Sequence, residues 1–391
     1  MSNRPETNKQ SCPVYKKCGG CQLQNLSYPE QLEFKQRKVE KLLKRFCTVE
    51  KIIGMKTPYH YRHRNKVQAA FYTDKKGKII SGVYQSGSHH VVGIDSCQTE
   101  DVIADKIIVA VRKLLPSFRM TTYNEDTGKG FLRHILVKRG FATNQIMLVL
   151  VTGTPVFPSK NNFVKAILKQ FPEITTIVQN INSYRTNLVL GDNQKVLYGK
   201  GYIEDILCGC RFRISPKSFY QINPVQTEVL YGKAIEFANL KGNETVLDTY
   251  CGIGTIGIIA AKNGAGNVIG AELNGDAVRD AIVNARANNL KNIRFYKADA
   301  GEFMREAAGE DEKPDVVFMD PPRAGSDRKF LDSLIKMSPK KVVYVSCNPE
   351  TLARDLAYLT QNSPYKAQKI QPVDMFPHTA HIETVVLMSR K

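Results

Sequence analysis

A cysteine and a glutamate near the end of the chain combine a nucleophile with a base. Cys347 lies in the segment Val345–Pro349 (VSCNP), directly after an apolar strand-like run, and Pro349 is suited to open the following helix. A thiolate is favoured near a helix N-terminus, although a lone cysteine is more often a small buried hydrophobe. Glu383 lies near the start of the strand-like run His381–Met388, where a carboxylate is either solvated at an edge or retained for function.

This pair of side chains suits chemistry on a uracil ring. Carbon 5 of uracil is too weak a nucleophile to take a methyl group directly. A thiolate that adds to carbon 6 makes carbon 5 enolate-like, so that it attacks a sulfonium methyl, and a base must then remove the proton on carbon 5. Cys347 as nucleophile and Glu383 as base meet these two needs.

Three glycines after a strand-like run form a pattern that is typical of nucleotide binding. Gly252, Gly254 and Gly257 follow Thr245–Leu247 as G-x-G-x-x-G, and Glu272 comes 20 residues after Gly252. Glycines let the backbone approach a ligand closely, and an acid at the end of the next strand can hold ribose hydroxyls. Because S-adenosylmethionine and NAD both carry an adenosine, this pattern alone does not separate a methyltransferase from a dehydrogenase.

Two acidic positions favour S-adenosylmethionine. Asp248 precedes the glycines, where it can meet the amino-acid portion of that cofactor. The segment Asp320–Arg323 (DPPR) follows the strand-like run Val316–Met319, and a dehydrogenase has no need of it. A carboxylate held by two rigid prolines suits binding of cofactor or base, although a proline-ended turn with a solvated aspartate fits this segment equally well on its own. In combination, these features predict a methyltransferase.

From about Cys208 onward the chain alternates between strand-like and helix-compatible segments. The strand-like runs are Thr245–Leu247, Val268–Ala271, Val316–Met319 and Val342–Val345. This alternation predicts a parallel, doubly wound α/β sheet of Rossmann-like type, whose ligands bind beyond the carboxyl ends of the strands. Lys366–Val373 and Ile382–Met388 lack an intervening helix and are expected to form an antiparallel hairpin on that sheet. We predict a methyltransferase domain over residues 208–391.

Residues 1–207 have the mixed pattern of an α+β region. The segment Ser27–Glu30 (SYPE) forms a capping box before a helix over about Pro29–Phe46. Alternating side chains over Val67–Tyr72, followed by the turn Asp74–Gly77, indicate a strand. The other predicted elements are helices through Ile103–Leu114 and Asn161–Phe171, and strands at Leu132–Lys138, Gln145–Val151 and Thr175–Ile181.

The charge balance favours a polyanionic partner. The 391 residues hold 56 Lys plus Arg against 37 Asp plus Glu, a formal net charge of +19. Nucleic acid is favoured over an anionic membrane, because no long basic amphipathic stretch is present. The N-terminus lacks the apolar core of a secretory signal, and no apolar run approaches the roughly 20 residues of a membrane span. Because the nine cysteines are expected to be reduced, we predict a cytoplasmic protein. We also predict that it is a monomer.

Two basic runs are candidates for RNA contact. Tyr61–Lys66 (YRHRNK), and Arg133-His134 with Lys138-Arg139, mix basic with planar side chains, which track phosphates and stack unpaired bases. For each run alone the alternative is a solvated charged face. Because the target atom lies inside a base, we expect the uridine to be flipped into the cleft between the two halves of the chain.

Four cysteines of the N-terminal half have spacing typical of a metal site. Cys12, Cys18 and Cys21 form C-x5-C-x2-C, and Cys97 lies 76 positions further on. Three clustered thiols and one remote thiol suit either zinc or an iron–sulfur cluster, and the spacing does not decide between them. Cys208 and Cys210 are instead expected to share one face of a strand leading into the methyltransferase domain.

The chain resembles the RNA uracil-5-methyltransferases, specifically the branch that acts on 23S ribosomal RNA. The similarity runs from Cys12 to the C-terminus and rests on five motifs taken together. These motifs are Phe219–Asn223 (FYQIN), Asp248–Gly252 (DTYCG), Asp320–Arg323 (DPPR), Ser346–Pro349 (SCNP) and His381–Glu383 (HIE).

The resemblance implies roles for particular residues. Cys347 would be the nucleophile and Glu383 the proton acceptor, while the residues implied to contact S-adenosylmethionine or the base are Gln221, Tyr250, Thr255, Glu272 and Asp320. The ribosomal members carry a [4Fe-4S] cluster, here implied on Cys12, Cys18, Cys21 and Cys97, in a structural or RNA-positioning role; the tRNA-specific relatives lack that set. Residues 1–207 would then be an iron–sulfur-containing RNA-binding region. Many members also carry an N-terminal TRAM module, whereas here eleven residues precede Cys12. The chain therefore resembles the shorter members.

Three other functions are compatible with parts of the sequence. A nicotinamide oxidoreductase accounts for the glycines but leaves Cys347, Glu383 and the DPPR segment unexplained. A non-catalytic RNA-binding protein accounts for the charge and the cysteine cluster, and predicts that Cys347→Ala is silent. A methyltransferase acting on cytosine, or on a uridine of tRNA, shares most of the expected machinery.

Overall fold

The computed structural model describes residues 12–56, 59–85, 87–307 and 313–390. In chain order the helices are α1 (Tyr15–Cys18), α2 (Tyr28–Leu43), α3 (Val102–Leu114), α4 (Lys160–Gln170), α5 (Pro224–Ala238), α6 (Thr255–Lys262), α7 (Gly275–Ala287), α8 (Ala300–Ala307), α9 (Arg328–Met337) and α10 (Pro349–Asn362), with a 3-10 turn at Pro116–Phe118. The strands are β1 (Lys66–Thr73), β2 (Ile79–Tyr84), β3 (Val91–Gly93), β4 (Leu132–Arg139), β5 (Ile146–Thr152), β6 (Ile174–Ile181), β7 (Asn193–Tyr198), β8 (Ile203–Leu207), β9 (Cys210–Ile214), β10 (Thr245–Thr249), β11 (Asn267–Glu272), β12 (Ile293–Lys297), β13 (Val316–Met319), β14 (Lys341–Ser346), β15 (Tyr365–Val373) and β16 (Glu383–Arg390).

The chain forms two compact units. The first unit lies within Met1–Asn25, Thr57–Asp205 and Ile214–Lys217, and the second within Leu26–Lys56, Ile206–Arg213 and Ser218–Lys391. No helix among the described residues combines the length and the apolar character needed to cross a bilayer.

The first unit is a mixed α+β structure built on a seven-stranded sheet. Its strands run in the order β3-β2-β1-β4-β5-β6-β7, and β5 and β6 are the parallel pair. Alternate residues of the central strands, such as Ile135 and Leu148, pack against Ile107 and Val111 of α3 and Ile167 of α4 in one core. The mixed pattern predicted for this half is therefore present, with strand and helix bounds close to those expected from periodicity.

The second unit contains the predicted doubly wound sheet. Its order is β12-β11-β10-β13-β14-β16-β15; the first five strands are parallel, and β16 runs antiparallel to β14 and β15. The expected C-terminal hairpin is thus present as β15 and β16. Helices follow β10, β11, β12, β13 and β14 in sequence, as a parallel sheet with crossover connections requires.

Helix α2 belongs to the second unit, which differs from the expected division at residue 207. The predicted capping box starts the helix, because the Glu30 carboxylate accepts hydrogen bonds from both the backbone N–H and the hydroxyl of Ser27. Val39 and Leu43 are fully buried in the same core as Leu356 of α10. The apolar face of this N-terminal helix therefore completes the core of the C-terminal sheet.

A buried ion pair fastens α2 to the segment between β15 and β16. Lys35 Nζ lies 2.5 Å from Asp374 Oδ1, and both side chains are inaccessible to solvent. Lys35 also donates to the carbonyl of Phe376 (2.9 Å), and the Tyr28 hydroxyl donates to Asp374 Oδ2 (2.8 Å). Burial lowers the pKa of Lys35, and the Asp374 charge opposes that shift. The α2 helix consequently determines where the chain around Phe376 lies.

Removing one partner of this pair is expected to destabilise the protein strongly. Lys35→Met leaves the Asp374 carboxylate buried without its cation, which costs about 3–5 kcal/mol in the free energy of unfolding. Urea denaturation measures the change. Arg37→Met is the matched control on the same helix, because the Arg37–Glu33 pair is solvent-exposed and contributes little. Equal stability of the two variants would contradict this assignment.

Candidate active site

The carboxyl ends of β13 and β14 and the amino end of the antiparallel β16 open onto one cavity of about 480 Å³ in the second unit. Asp320 directly follows β13, and Cys347 directly follows β14. Glu383 is the first residue of β16, where the neighbouring Thr384 pairs with Ser346 of β14. The lining residues are Phe219, Gln221, Ile222, Tyr231, Asp248, Tyr250, Cys251, Gly252, Ile253, Thr255, Ile256, Asp320, Pro321, Pro322, Arg323, Cys347, Phe376 and Glu383. Six of the seven residues expected at the site from sequence therefore surround a single cavity; Glu272 is the exception.

The loop that carries Cys347 is tied to the loop that carries Arg323. Asn348 caps α10 by accepting a hydrogen bond from the Glu350 N–H (3.1 Å), and its amide donates to the Arg323 carbonyl (3.1 Å). The Thr351 hydroxyl donates to the same carbonyl at 3.3 Å. These bonds hold the cysteine loop and the DPPR loop as one wall of the cavity.

The thiol of Cys347 is not activated in the free protein. Burial raises its pKa to about 11, the charges of Glu383 and Asp320 add to that shift, and Arg323 opposes it. Position near the start of α10 was expected to favour the thiolate. That expectation is wrong for the free protein, because desolvation and two neighbouring carboxyl groups outweigh the helix terminus.

Alkylation of Cys347 in the free protein is expected to accelerate steadily with pH. Since iodoacetamide reacts with thiolates and the thiol pKa is about 11, the rate should rise roughly tenfold per pH unit between pH 7 and pH 10. Peptide mass spectrometry after timed labelling measures it. Arg323→Met should slow the reaction at every pH, because the guanidinium lowers the pKa of Cys347. A rate that levels off between pH 9 and pH 10, as for an ordinary thiol with a pKa of about 8.5, would contradict the prediction.

Glu383 and Asp320 are buried carboxyl groups that face the same cavity. Glu383 is 3 % exposed; burial raises its pKa well above the usual range, Asp320 adds to the shift, and Arg323 opposes it. Burial likewise raises the pKa of Asp320 to about 7. A carboxylate with a raised pKa is a stronger base, which suits proton abstraction near neutral pH. The two acids and Cys347 thus form one electrostatically linked group.

The glycine-rich loop has the backbone geometry expected of a ligand-binding turn. Tyr250, Gly252 and Gly254 have positive φ angles of 59°, 56° and 81°. The Asp248 carboxylate accepts the Gly257 N–H at 2.7 Å, and burial raises its pKa to about 8. A side chain at Gly254 would collide with the ring of Phe295, so this glycine is required by packing.

Glu272 does not line the cavity but braces the loop that does. Its carboxylate accepts the N–H groups of Gly252 (3.1 Å) and Asn274 (2.8 Å). The sequence spacing therefore identified a residue that lies next to the glycine-rich loop. The Glu272 carboxylate contacts this loop through the backbone N–H of Gly252.

Two aromatic residues of the cavity were not singled out from sequence. Tyr231 is a buried residue of α5, and nothing in its local pattern distinguishes it from a core residue. Phe376 lies seven positions before Glu383, in a segment held by Lys35 and by the Asn223 amide, which donates to the Met375 carbonyl at 2.9 Å. Its proximity to Glu383 along the chain was the available signal.

Four basic residues expected to contact RNA are engaged within the first unit. Arg62 pairs with Asp105 (2.7 Å), and Arg139 pairs with Asp101 (2.7 Å). Arg133 is 1 % exposed and pairs with Glu125 at 2.7 Å, while Lys138 is 5 % exposed and donates to the Ser215 carbonyl at 2.9 Å. Arg133 and Lys138 satisfy interior partners and do not form the phosphate-tracking surface suggested by their spacing, whereas the side chains of Arg62 and Arg139 remain 34% and 27% exposed.

The four cysteines with metal-site spacing all lie in the first unit and are electrostatic neighbours. Burial raises the pKa of Cys21 to about 11, Arg64 opposes this shift, and Cys97, Cys18 and Cys12 each add to it. Within residues 12–56, 59–85, 87–307 and 313–390, no three His, Cys, Asp or Glu side chains converge as ligands of a single metal ion. The four thiols therefore gather in one region without the geometry of a single-ion site.

Cys208 and Cys210 do not share one strand face. Cys208 follows β8 in a turn with a φ of 49°, and its N–H donates to Glu228 Oε1 at 2.8 Å. Cys210 is the first, buried residue of β9. The expectation is wrong because a tight turn through Gly209 separates the two thiols.

Comparison with known proteins identifies the family to which this site belongs. The family model described as tRNA (uracil-5-)-methyltransferase matches residues 27–391, which include every residue of the cavity. The chain belongs to this family. It is accordingly an RNA (uracil-5-)-methyltransferase, and the resemblance drawn from the five motifs is confirmed at the level of the family.

The sequence similarity between this methyltransferase and its relatives covers almost its whole length. It is 43% identical over 391 residues to an uncharacterized RNA methyltransferase of Bacillus cereus, covering 99% of this chain and 84% of the relative. A similar protein of Clostridium tetani is 45% identical over 382 residues, covering 97% and 82%. Among solved structures, the tRNA (uracil-54, C5)-methyltransferase of Pyrococcus abyssi in complex with S-adenosyl-L-homocysteine is 31% identical with a TM-score of 0.79, covering 97% of this chain and 87% of that one.

Proposed function

We propose that this methyltransferase transfers the methyl group of S-adenosylmethionine to carbon 5 of a uridine in 23S ribosomal RNA through a covalent adduct with Cys347. The observation that carries the proposal is the single cavity shared by Cys347, Glu383 and Asp320, directly beside the glycine-rich loop. A nicotinamide oxidoreductase or a passive RNA-binding protein has no use for this thiol and base at the rim of the same sheet.

The proposed reaction uses two side chains in sequence. The Cys347 thiolate adds to carbon 6 of uracil, and the electron pair of the ring double bond becomes an enolate with nucleophilic character at carbon 5. Carbon 5 takes the sulfonium methyl, and S-adenosylhomocysteine leaves. The Glu383 carboxylate removes the proton on carbon 5, the enolate re-forms, and its collapse restores the double bond and expels the Cys347 thiolate.

The remaining cavity residues are proposed to hold S-adenosylmethionine. Gln221, Tyr250 and Thr255 line the cavity, and Glu272 would act through the Gly252 loop near the ribose. Asp320 would orient the reacting groups from the end of β13. The buried acids and the positive-φ loop fit a cationic, adenosine-containing ligand, and the similar P. abyssi enzyme is a complex with the product S-adenosyl-L-homocysteine.

A trapping experiment tests the covalent reaction. RNA containing 5-fluorouridine is incubated with wild-type protein and methyl-labelled S-adenosylmethionine. Fluorine cannot leave as a proton, so a labelled protein–RNA adduct should survive denaturation and map to the peptide that contains Cys347. Absence of an adduct on ribosomal RNA and tRNA, while S-adenosylmethionine still binds, would overturn the uridine assignment.

A uridine of tRNA is the second candidate substrate. It is favoured by the description of the matched family and by the similarity to the P. abyssi tRNA enzyme. The cysteine set, which the resemblance associates with the ribosomal members of the family, favours ribosomal RNA. Parallel methylation of 23S rRNA and tRNA transcripts, with the modified nucleotide mapped by mass spectrometry, separates the two substrates.

Cys12, Cys18, Cys21 and Cys97 are proposed to bind a [4Fe-4S] cluster. The influence of all three other thiols on Cys21 supports a shared ligand set, and soft thiolates suit iron–sulfur clusters. The reaction above moves no electrons to or from the protein, so the proposed role is structural or RNA-positioning. Iron and sulfide analysis of anaerobically purified protein tests it, and a preparation holding only zinc would overturn it. We also propose that the protein acts as a monomer in the cytoplasm.

A further inference from the structure

An open groove lies in the first unit, lined by residues separate from those of the methylation cavity. A cavity of about 610 Å³ adjoins a smaller one of about 230 Å³, and both are lined by Tyr84, His89 and Glu125. Gln68 and His134, on neighbouring strands β1 and β4, line the larger part. They alternate with Val67 and Ile135, which pack in the helix-covered core, and so belong to the opposite face of the sheet. We call this feature the Tyr84 groove.

Planar side chains are distributed along the whole groove. The ring centroids of Tyr84 and His134 are 5.8 Å apart in an edge-on arrangement, and those of Tyr84 and His89 are 6.0 Å apart. Tyr72 and His90 form a further pair at 6.3 Å in the smaller part. Successive unpaired bases stack on such rings with little dependence on sequence, because every base has a π face.

The charges at the groove are neutralised locally. Arg133 is bound to the Glu125 carboxylate by two hydrogen bonds, at 3.0 and 2.7 Å, and also donates to the carbonyl of Asn182. His89 Nδ1 lies 2.9 Å from Asp126 Oδ1. Burial, assisted by the Arg133 charge, lowers the pKa of His134 to about 4, so its ring is neutral at physiological pH. The charged side chains that line the groove are therefore paired, so its walls suit a neutral planar group, while the exposed Arg185, which donates to the Asp126 carbonyl at 3.2 Å, supplies a cation beside the groove for a phosphate.

His134 contributes an unsatisfied polar atom to the groove wall. The residue is only 5 % exposed, and its Nδ1 has no hydrogen-bond partner among the residues that the structure describes. A buried ring nitrogen without a partner is costly, and it is relieved by a ligand that supplies a complementary hydrogen bond. The exposed Gln68 side chain offers both a donor and an acceptor in the same cavity.

From these features we infer that the Tyr84 groove binds a single-stranded segment of the substrate RNA, with one unpaired base inserted beside His134 and its neighbours stacked on Tyr84 and Tyr72. The inference rests on the RNA substrate of the proposed function. It adds a second base-binding site, which reads unpaired nucleotides other than the methylated uridine.

The first test measures RNA affinity in the full-length protein, without S-adenosylmethionine. The probes are fluorescently labelled 23S rRNA and tRNA transcripts, and the variants are Tyr84→Leu and Tyr84→Phe. Loss of one stacked base should weaken binding by about 5- to 100-fold in Tyr84→Leu, whereas Tyr84→Phe keeps the ring and should bind within about twofold of wild type. Equal affinity of wild type and Tyr84→Leu for both RNAs would overturn the inference.

A second test separates direct contact from structural damage. Single abasic sites are introduced along a synthetic stem–loop that carries the target uridine, and binding is measured for wild type and Tyr84→Leu. Wild type should lose affinity at one or two positions besides the target, and the loss at those positions should disappear in Tyr84→Leu. Abasic penalties that are identical in the two proteins would overturn the inference. Because binding is read without methyl transfer, failure of the 5-fluorouridine experiment with wild type remains a distinct result.

Discussion

Replacing Cys347 by alanine is expected to lower the rate of RNA methylation by at least about 10⁴-fold, since the variant has no route to the enolate at carbon 5. Affinity for S-adenosylmethionine should change little, because Cys347 belongs to the loop after β14 and not to the glycine-rich loop proposed to hold that cofactor. Methyl incorporation into RNA measures the first quantity, and isothermal titration measures the second.

Cys251→Ala is the matched control for this prediction. Cys251 lines the same cavity, but it is 4 % exposed, and burial together with Asp248 and Glu272 raises its pKa well above the ordinary value. It belongs to the glycine-rich loop rather than to the cysteine loop after β14. We expect this variant to keep forming the 5-fluorouridine adduct. Adduct formation by Cys347→Ala would refute the assignment of the nucleophile.

Replacing Glu383 by glutamine is expected to stop the reaction after methyl transfer. The amide fills the same buried position but cannot take the proton from carbon 5, so kcat should fall by about 10²- to 10⁴-fold. The addition step should remain possible, because Glu383 is one of the groups that raise the pKa of Cys347. A methylated protein–RNA complex should therefore accumulate on ordinary uridine, and denaturing gels with labelled methyl groups would reveal it.

The double variant Cys347→Ala/Glu383→Gln is the control for the trapped species. If the complex depends on the thioether to Cys347, it must vanish in this protein. Normal turnover of Glu383→Gln without any complex would show that another group removes the proton. Asp320, whose pKa is raised to about 7, would then be the candidate, because it faces the same cavity.

A helix far from the site in sequence holds part of the cavity wall in place. Phe376 lines the cavity, and its carbonyl accepts from Lys35, which lies 341 positions earlier in α2. Asp374, two residues before Phe376, is held by the same lysine and by Tyr28. The β15–β16 connection thus takes its conformation from the N-terminal part of the second unit, immediately before the strand that begins with Glu383.

Local pattern was sufficient for most secondary structure and for the grouping of the site residues. Capping at Ser27, period-2 strands and strand–helix alternation predicted elements that the structure contains. Asp320 and Cys347 were expected together because each follows a strand of one parallel sheet, and the carboxyl ends of parallel strands meet at one edge. Chemistry-bearing residues at such positions can be recognised without coordinates.

Tertiary structure alone decided three other properties. Helix α2 joins the second unit, because the burial of Val39 and Leu43 depends on an apolar surface formed by residues hundreds of positions away. Arg133 pairs with the Glu125 carboxylate in the interior and is not available to RNA. Sequence could not show this, because a basic residue looks the same whether it faces water or a buried carboxylate. The pKa of Cys347 rises because desolvation and the fields of Glu383 and Asp320 act through space. Sequence spacing identifies which groups can react, whereas burial and long-range contacts set their charge and their availability.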